Sequence, residues 1–165
     1  MICLGIESTA HTFGASVMDG KNILTNVKHS YETESGGMIP FKVMEHHVEF
    51  CREVIQTAIE GINPAKINLI SFSRSPGLGN SLRVGAMAAR TLAAKLNIPI
   101  VGVNHCIAHL EIGRLVTAAK DPIILYASGA NTQIIGYEAG RYRLFGETLD
   151  QGVGNLLDRF ARMLG

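Results

Sequence analysis

The sequence predicts an α/β fold of two duplicated lobes on mixed sheets, the second lobe incomplete, and three observations carry that prediction. After an opening run of three strand-like segments, short apolar stretches alternate with longer ones of helical period, the order expected of helices layered on a sheet. Sliding the chain so that Ser8 meets Ser128 also lays Ala10, Thr12, Gly20 and Leu24 on Ala130, Thr132, Gly140 and Leu144, with Lys21 on Arg141. Those matches fall on the same expected order of strand, small-polar turn, strand, Gly-basic hairpin and strand, and duplication of that kind fixes architecture. Finally, 47% of the 165 residues are hydrophobic, enough for a true core.

Residues 1–8 form a short apolar strand closing on Glu7-Ser8-Thr9. Residues 13–19 resume strand-like chemistry, Asp19-Gly20 followed by Lys21 signals a hairpin, and 22–30 read as the third strand. A Gly36-Gly37 break leads into a helix over 41–59, in which Val43, His47, Cys51, Val54 and Ile55 keep a helical period, and Asn63-Pro64 punctuates its end. Residues 67–73 make a buried strand, 75–81 a loop of small residues opening a helix over 82–96, and Asn97-Ile98-Pro99 stops that helix. A strand over 100–103 precedes a helix over 105–117. Residues 123–125 read as a buried strand and 143–147 as another, and a last helix starts near Val153. The first lobe is expected over 1–119 and the start of the second over 120–165.

A net charge of +1 gives no global electrostatic footprint for nucleic acid and leaves only local basic patches open. Cys3, Cys51 and Cys106 are widely spaced, odd in number and without a CxxC pair, which fits a reducing compartment. No apolar run approaches the ~20 residues that span a bilayer, and the strand-like amino terminus has no signal-peptide pattern. A cytoplasmic location without a membrane partner is expected.

The chemistry-bearing stretch is Asn104-His105-Cys106-Ile107-Ala108-His109. Two histidines four apart on a helix project from one face, so a single borderline metal ion can touch both rings. Cys106 stands where a zinc protease carries its glutamate base. The alternative is a pair of partly buried histidines packing the helix on its sheet. In Tyr126-Ala127-Ser128-Gly129-Ala130-Asn131-Thr132, small residues allow close backbone approach and an anion-binding nest of N–H groups; the alternative is an ordinary hairpin turn. Asp158 on the last helix either takes ribose hydroxyls or is a solvated surface charge. There is no GK[ST] and no GxGxxG, so P-loop and Rossmann readings lose support.

Two lobes that each begin with three strands and a Ser/Thr turn resemble the actin-like ATPase superfamily (ASKHA, ribonuclease H-like), where paired turns hold nucleotide phosphates. The ordered motifs Gly5-Ile6-Glu7-Ser8-Thr9-Ala10, Pro76-Gly77-Leu78, the His105/His109 helix, Tyr126 to Gln133 and Gly146-Glu147-Thr148-Leu149-Asp150 are more specific. They resemble the tRNA threonylcarbamoyladenosine synthase family (TsaD-like, formerly O-sialoglycoprotein endopeptidase). Glu45-His46-His47, Tyr126 and Asn131-Thr132-Gln133 resemble its archaeal and eukaryotic branch, the catalytic subunit of the KEOPS complex.

The resemblance implies one divalent metal ion, iron first and zinc, manganese or magnesium as alternatives, on His105, His109 and Tyr126. A late aspartate that this chain lacks would complete the set. It implies ATP or threonylcarbamoyl-AMP as nucleotide ligand, with phosphate at Ser128, Gly129 and Ala130, flanking contacts from Tyr126, Ala127 and Asn131, and ribose at Asp158. The implied reaction is transfer of threonylcarbamoyl to N6 of adenosine 37 in tRNAs reading ANN codons; no general base is assigned.

Implied partners are tRNA, a small dimeric KEOPS subunit docking on the helices at 41–59 and 82–96, and a kinase-like subunit, separate or fused. Lys21, Lys28, Arg74, Arg83 and Arg141 are candidate tRNA-backbone contacts or else scattered solvated charges. Ala130 in place of a second glycine, and Gln151-Gly152, depart from the family pattern. The chain resembles the front part of a longer polypeptide and is expected to show little transfer by itself. Rival readings are a non-catalytic actin-like scaffold or ATP-binding subunit of the same complex, which need no histidine pair, and a metalloprotease, which needs a glutamate base.

Overall fold

The structure is a computed structural model and describes residues 1–33, 38–117 and 119–165; the expected Gly36-Gly37 break lies outside them. Its elements run β1 (Ile2–Glu7), β2 (Thr12–Asp19), β3 (Asn22–Ser30), α1 (Pro40–Ala58), a short 3-10 turn (Pro64–Lys66), β4 (Ile67–Ser75), α2 (Gly79–Leu96), β5 (Ile100–Asn104), α3 (His105–Val116), β6 (Ile124–Ala127), β7 (Thr132–Glu138), β8 (Arg141–Glu147) and α4 (Val153–Leu164). They divide into two compact units, Met1–Ala108 and His109–Gly165. The division falls inside α3, earlier than the expected 119/120.

The first unit is a five-stranded mixed sheet in the order β3-β2-β1-β4-β5. β1 pairs antiparallel with β2 and parallel with β4, and β4 pairs parallel with β5. Strand side chains alternate between the two faces. Leu4 and Ile6 of β1, Phe13, Ala15 and Val17 of β2 and Ile70 of β4 are buried together with Val54, Ile55 and Ala58 of α1 and Ala89 and Ala93 of α2. Glu7 and Ser73 therefore point away from that core, to the face where the chemistry gathers.

Local residues set the ends of these helices. Pro40 occupies the first turn of α1, where its missing N–H costs nothing. Asn97, in the left-handed region at φ 53°, closes α2 where expected. The start of α2 corrects the expectation: Gly79, Asn80 and Ser81 are its first turn rather than a loop. Ser81, Gly85, Ala89 and Ala93 form its buried stripe. Their small side chains bring the helix close to the sheet, and packing overrides the low helix propensity of Gly79, Asn80 and Ser81 in the first turn.

The second unit holds a three-stranded antiparallel sheet, β6-β7-β8. It repeats the opening meander of the first unit. Both first connections are four residues long, 8–11 and 128–131, and both hairpins carry a left-handed glycine, Gly20 at φ 59° and Gly140 at φ 78°. The pairing refines the repeat by one residue, since the first hairpin closes Asp19 on Asn22 and the second Glu138 on Arg141. The expected buried strand over 123–125 is corrected. β6 starts at Ile124 and includes Tyr126, and Ile123 and Leu125 are 69% and 68% exposed. β6 is an edge strand of a sheet whose buried side rests on Ile135. No described helix is long and apolar enough to cross a membrane.

Candidate functional site

In the first unit the site is built around Glu7. The turn after β1 folds back so that the Thr9 amide donates to Glu7 Oε1 at 2.6 Å. The Ser73 hydroxyl donates to Glu7 Oε2, and His105 Nδ1 lies 3.1 Å from that same oxygen. Thr9 Oγ1 lies 3.3 Å from His105 Nδ1. Burial alone would raise the Glu7 pKa, but the donors from His105, Ser73 and Thr9 outweigh it and bring the carboxyl down to about 2.

Two local features hold this arrangement. Asn104 Oδ1 accepts from the Ile107 amide at 3.2 Å, so Asn104 caps α3 and His105 becomes its first residue. On the other side the Leu78 amide donates to the Thr9 carbonyl at 2.7 Å, which draws the Pro76-Gly77-Leu78 loop onto the turn. A Cβ on Gly77 would stand 2.6 Å from the Thr9 carbonyl oxygen, and only glycine allows that approach.

Beside Glu7, on the same face of the sheet, lies a cavity of about 340 Å³ lined by Gly5, Gly14, Ser16, Lys28 and Ser71 among others. A larger concavity, about 840 Å³, lies elsewhere, between α1 and α2. Met44, Val48, Ile55, Met87 and Leu92 line it, and Arg52 and Arg83 also border it. Cys51 and Lys95 border it as well.

The second unit, taken by itself, holds His109, whose ring centroid lies 5.9 Å from that of Tyr126, and the turn after β6. That turn is pinned from within: the Ser128 amide and hydroxyl both donate to the Asn131 carbonyl, and Ser128 Oγ accepts from the Asn131 amide at 3.0 Å. It is also pinned from α4. Gly154 N donates to the Ser128 carbonyl, Asn155 N to the Gly129 carbonyl and Val153 N to Thr132 Oγ1, so the first amides of α4 brace the turn. Gly129 and Ala130 supply the two turn amides outside these bonds. Ala130 has a negative φ, so its Cβ fits the turn without strain.

Position 152 has room only for glycine. A Cβ there would stand 2.6 Å from both Asn131 N and the Gly129 carbonyl oxygen. Asn155, which the sequence reading did not single out, reaches the same place, with its Oδ1 3.3 Å from where a Gly129 Cβ would be. Asp158 lies one turn further along α4 and is exposed, its carbonyl accepting from Arg162 Nε. Ala127 is exposed at the end of β6. The signal that could have found Asn155 is the Gly152-Val153-Gly154-Asn155 run itself, two glycines where a helix begins against a turn.

Among the described residues no group of three His, Cys, Asp or Glu side chains gathers to hold a metal. In the first unit His105 stands against Glu7, and in the second His109 lies beside the Tyr126 phenol; imidazole nitrogen and phenol oxygen are donors that a borderline divalent ion accepts.

An α/β scaffold with duplicated meanders defines an actin-like, ribonuclease H-like fold. YeaZ from Pseudomonas aeruginosa shares that fold at a TM-score of 0.57 and 15% identity, over 89% of this chain and 65% of that one. Residues 22–165 match the family described as TsaD: tRNA N6-adenosine threonylcarbamoyltransferase, and the chain belongs to that family. It is 53% identical over 167 aligned residues to the tRNA N6-adenosine threonylcarbamoyltransferase of Thermococcus kodakarensis, covering all of this chain and 51% of that protein. It is 52% identical to a probable bifunctional tRNA threonylcarbamoyladenosine biosynthesis protein of Thermoplasma volcanium, covering 32% of it. The chain thus spans about half, or a third, of the length of these curated relatives.

Proposed function

We propose that this chain belongs to an acyltransferase that moves threonylcarbamoyl from threonylcarbamoyl-AMP to N6 of adenosine 37 in tRNAs reading ANN codons. The observation that carries the reading is the Asn104-capped α3 with both histidines in place, in a chain of this family. In the transfer a bond forms between N6 and the carbamoyl carbon, the bond from that carbon to the phosphate oxygen breaks, AMP leaves, and N6 loses a proton.

His105, His109 and Tyr126 would hold one divalent metal ion, iron first among the candidates, with zinc, manganese and magnesium as alternatives. Such an ion supplies Lewis-acid polarisation and orientation of the acyl group. The amides of Gly129 and Ala130 in the braced Ser128 turn donate to the phosphate and stabilise the charge that develops on AMP. Ser128 and Asn131 shape that turn, Tyr126 and Ala127 flank it from the end of β6, and Asp158 is the candidate for the ribose of ATP or of the adenylate.

The exposed side chains of Val48 and Met87 on the α1–α2 groove support docking of a small dimeric KEOPS subunit. A kinase-like partner is supported by the word bifunctional in the name of the Thermoplasma relative. The work would be cytoplasmic.

Disrupting the gene tests the reading. Loss of threonylcarbamoyladenosine from the cell's tRNA, measured by mass spectrometry of nucleosides, is expected. Rescue should follow from the wild-type gene and not from His109→Ala. Unchanged nucleoside content after disruption sinks the assignment.

A further inference from the structure

We propose that Glu7 is the positioning residue for His105: its carboxylate fixes the imidazole proton on Nδ1 and so turns Nε2 into the nitrogen that meets a cation. The proposal rests on reading His105 as a metal ligand and adds the residue that prepares it.

The argument is one of donors and acceptors. Glu7 Oε2 is approached by the Ser73 hydroxyl and by His105 Nδ1 at 3.1 Å, and Oε1 by the Thr9 amide. An ionised carboxylate only accepts, so every group around it must donate. The Nδ1 facing it therefore carries a hydrogen, and in a neutral imidazole the lone pair then sits on Nε2. Thr9 Oγ1, 3.3 Å from the same Nδ1, can share that hydrogen as a second acceptor. Three donors surround the carboxylate, an arrangement that favours its ionised form. Ligating histidines are commonly held in this way, the ring's other nitrogen donating to a carboxylate that orients it and raises its basicity.

Position supports the same role. Glu7 ends β1 and His105 opens α3, 98 residues later, so the contact ties the sheet to the first turn of the histidine helix. A merely structural Glu7 would need only the Thr9 amide and Ser73, both within the sheet and its turn. The Nδ1 contact adds orientation.

The experiment reads the tautomer first and the metal second. The chain is labelled with 15N-histidine and its imidazole nitrogens are recorded without metal at about pH 8, above the ordinary range of imidazole titration. In the wild type, His105 is expected to show a protonated Nδ1 and an unprotonated Nε2. Glu7→Gln places an amide NH2 against either the Thr9 amide or the His105/Ser73 donors, and a mixed or reversed tautomer is expected. Ser73→Ala loosens the turn but keeps the carboxylate against Nδ1, and the wild-type tautomer is expected to persist.

Cobalt(II) titration followed by its visible absorption is the second readout, with affinity about 10- to 100-fold weaker in Glu7→Gln. A wild-type His105 protonated on Nε2, or a Glu7→Gln chain with unchanged tautomer and unchanged cobalt affinity, overturns the proposal. A Glu7-dependent tautomer in a chain that binds no cobalt instead removes the metal reading and leaves the Glu7–His105 tautomer link standing.

Discussion

His29 Nδ1 and His46 Nε2 stand 2.7 Å apart, so strand β3 is joined to helix α1 by a hydrogen bond between two imidazoles. The chain of rings continues inward, with His46 Nδ1 at 3.1 Å from His47 Nδ1. His29 stacks on Phe50 and His47 meets the edge of Phe13. Each N···N contact needs one hydrogen between the two nitrogens, and His47 is fully buried. Added protons are therefore unwelcome on His46 and His47.

The first expectation is a stability that begins to fall as the pH drops below the ordinary imidazole range. Burial, followed by the neighbouring His46, lowers the His47 pKa from 6.5 to about 4, and burial followed by His29 lowers that of His46 as well. Between these values the unfolded chain binds more protons than the folded one, so stability rises with pH. It is complete above 6.5 and lost as pH falls toward 4, on the order of 3 kcal/mol from His47 in all. Glu7 acts in a separate window, its contribution present above 4.5 and lost as pH falls toward about 2. Urea midpoints collected between pH 7.5 and 4.5 check this. A flat profile in wild type, or the same slope in His47→Gln, contradicts it.

Replacing Gly152 by alanine is expected to displace the turn that it supports. The new methyl would meet two backbone atoms at 2.6 Å, neither of them the tip of a flexible side chain. A cost of roughly 1–3 kcal/mol follows from overpacking of this kind. Amide exchange of Gly154 and Asn155, whose N–H groups donate to the turn, should quicken in the variant. Unchanged exchange would show that α4 does not brace the turn.

Asn104→Ala removes the cap from α3 and should cost about 1 kcal/mol. Because His105 is the first residue of that helix, fraying there also loosens the Glu7 contact, and cobalt(II) affinity should fall along with stability. Asn104→Ser, which retains a capping oxygen, is expected to restore both. A stability loss without any change in metal affinity would separate the cap from the site.

Much of the fold was legible because it rests on local pattern. Alternation along β1 and β2, the helical period around Val54 and Ile55, the Asp19-Gly20 hairpin and the Asn97 stop all depend on neighbours in sequence. The start of α2 was not, because Gly79-Asn80-Ser81 is a poor helical turn by propensity and forms one through packing. Exposure of Ile123 and Leu125 was equally hidden, since an apolar run does not say which of its faces is covered. At the site, the histidine pair and the Ser128 turn were visible as motifs. The role of Glu7 was not, since its partners Ser73 and His105 are 66 and 98 residues away and no periodicity reports such a meeting.

Thr9 shows what this arrangement asks of a single residue. Its amide holds Glu7, its hydroxyl lies beside His105, its carbonyl receives Leu78, and its Cα and Cβ define the space that Gly77 must leave empty. Nothing on Thr9 remains to absorb a neighbour's change. A shift at the loop, the turn or the helix start therefore presses on the other two through this one residue.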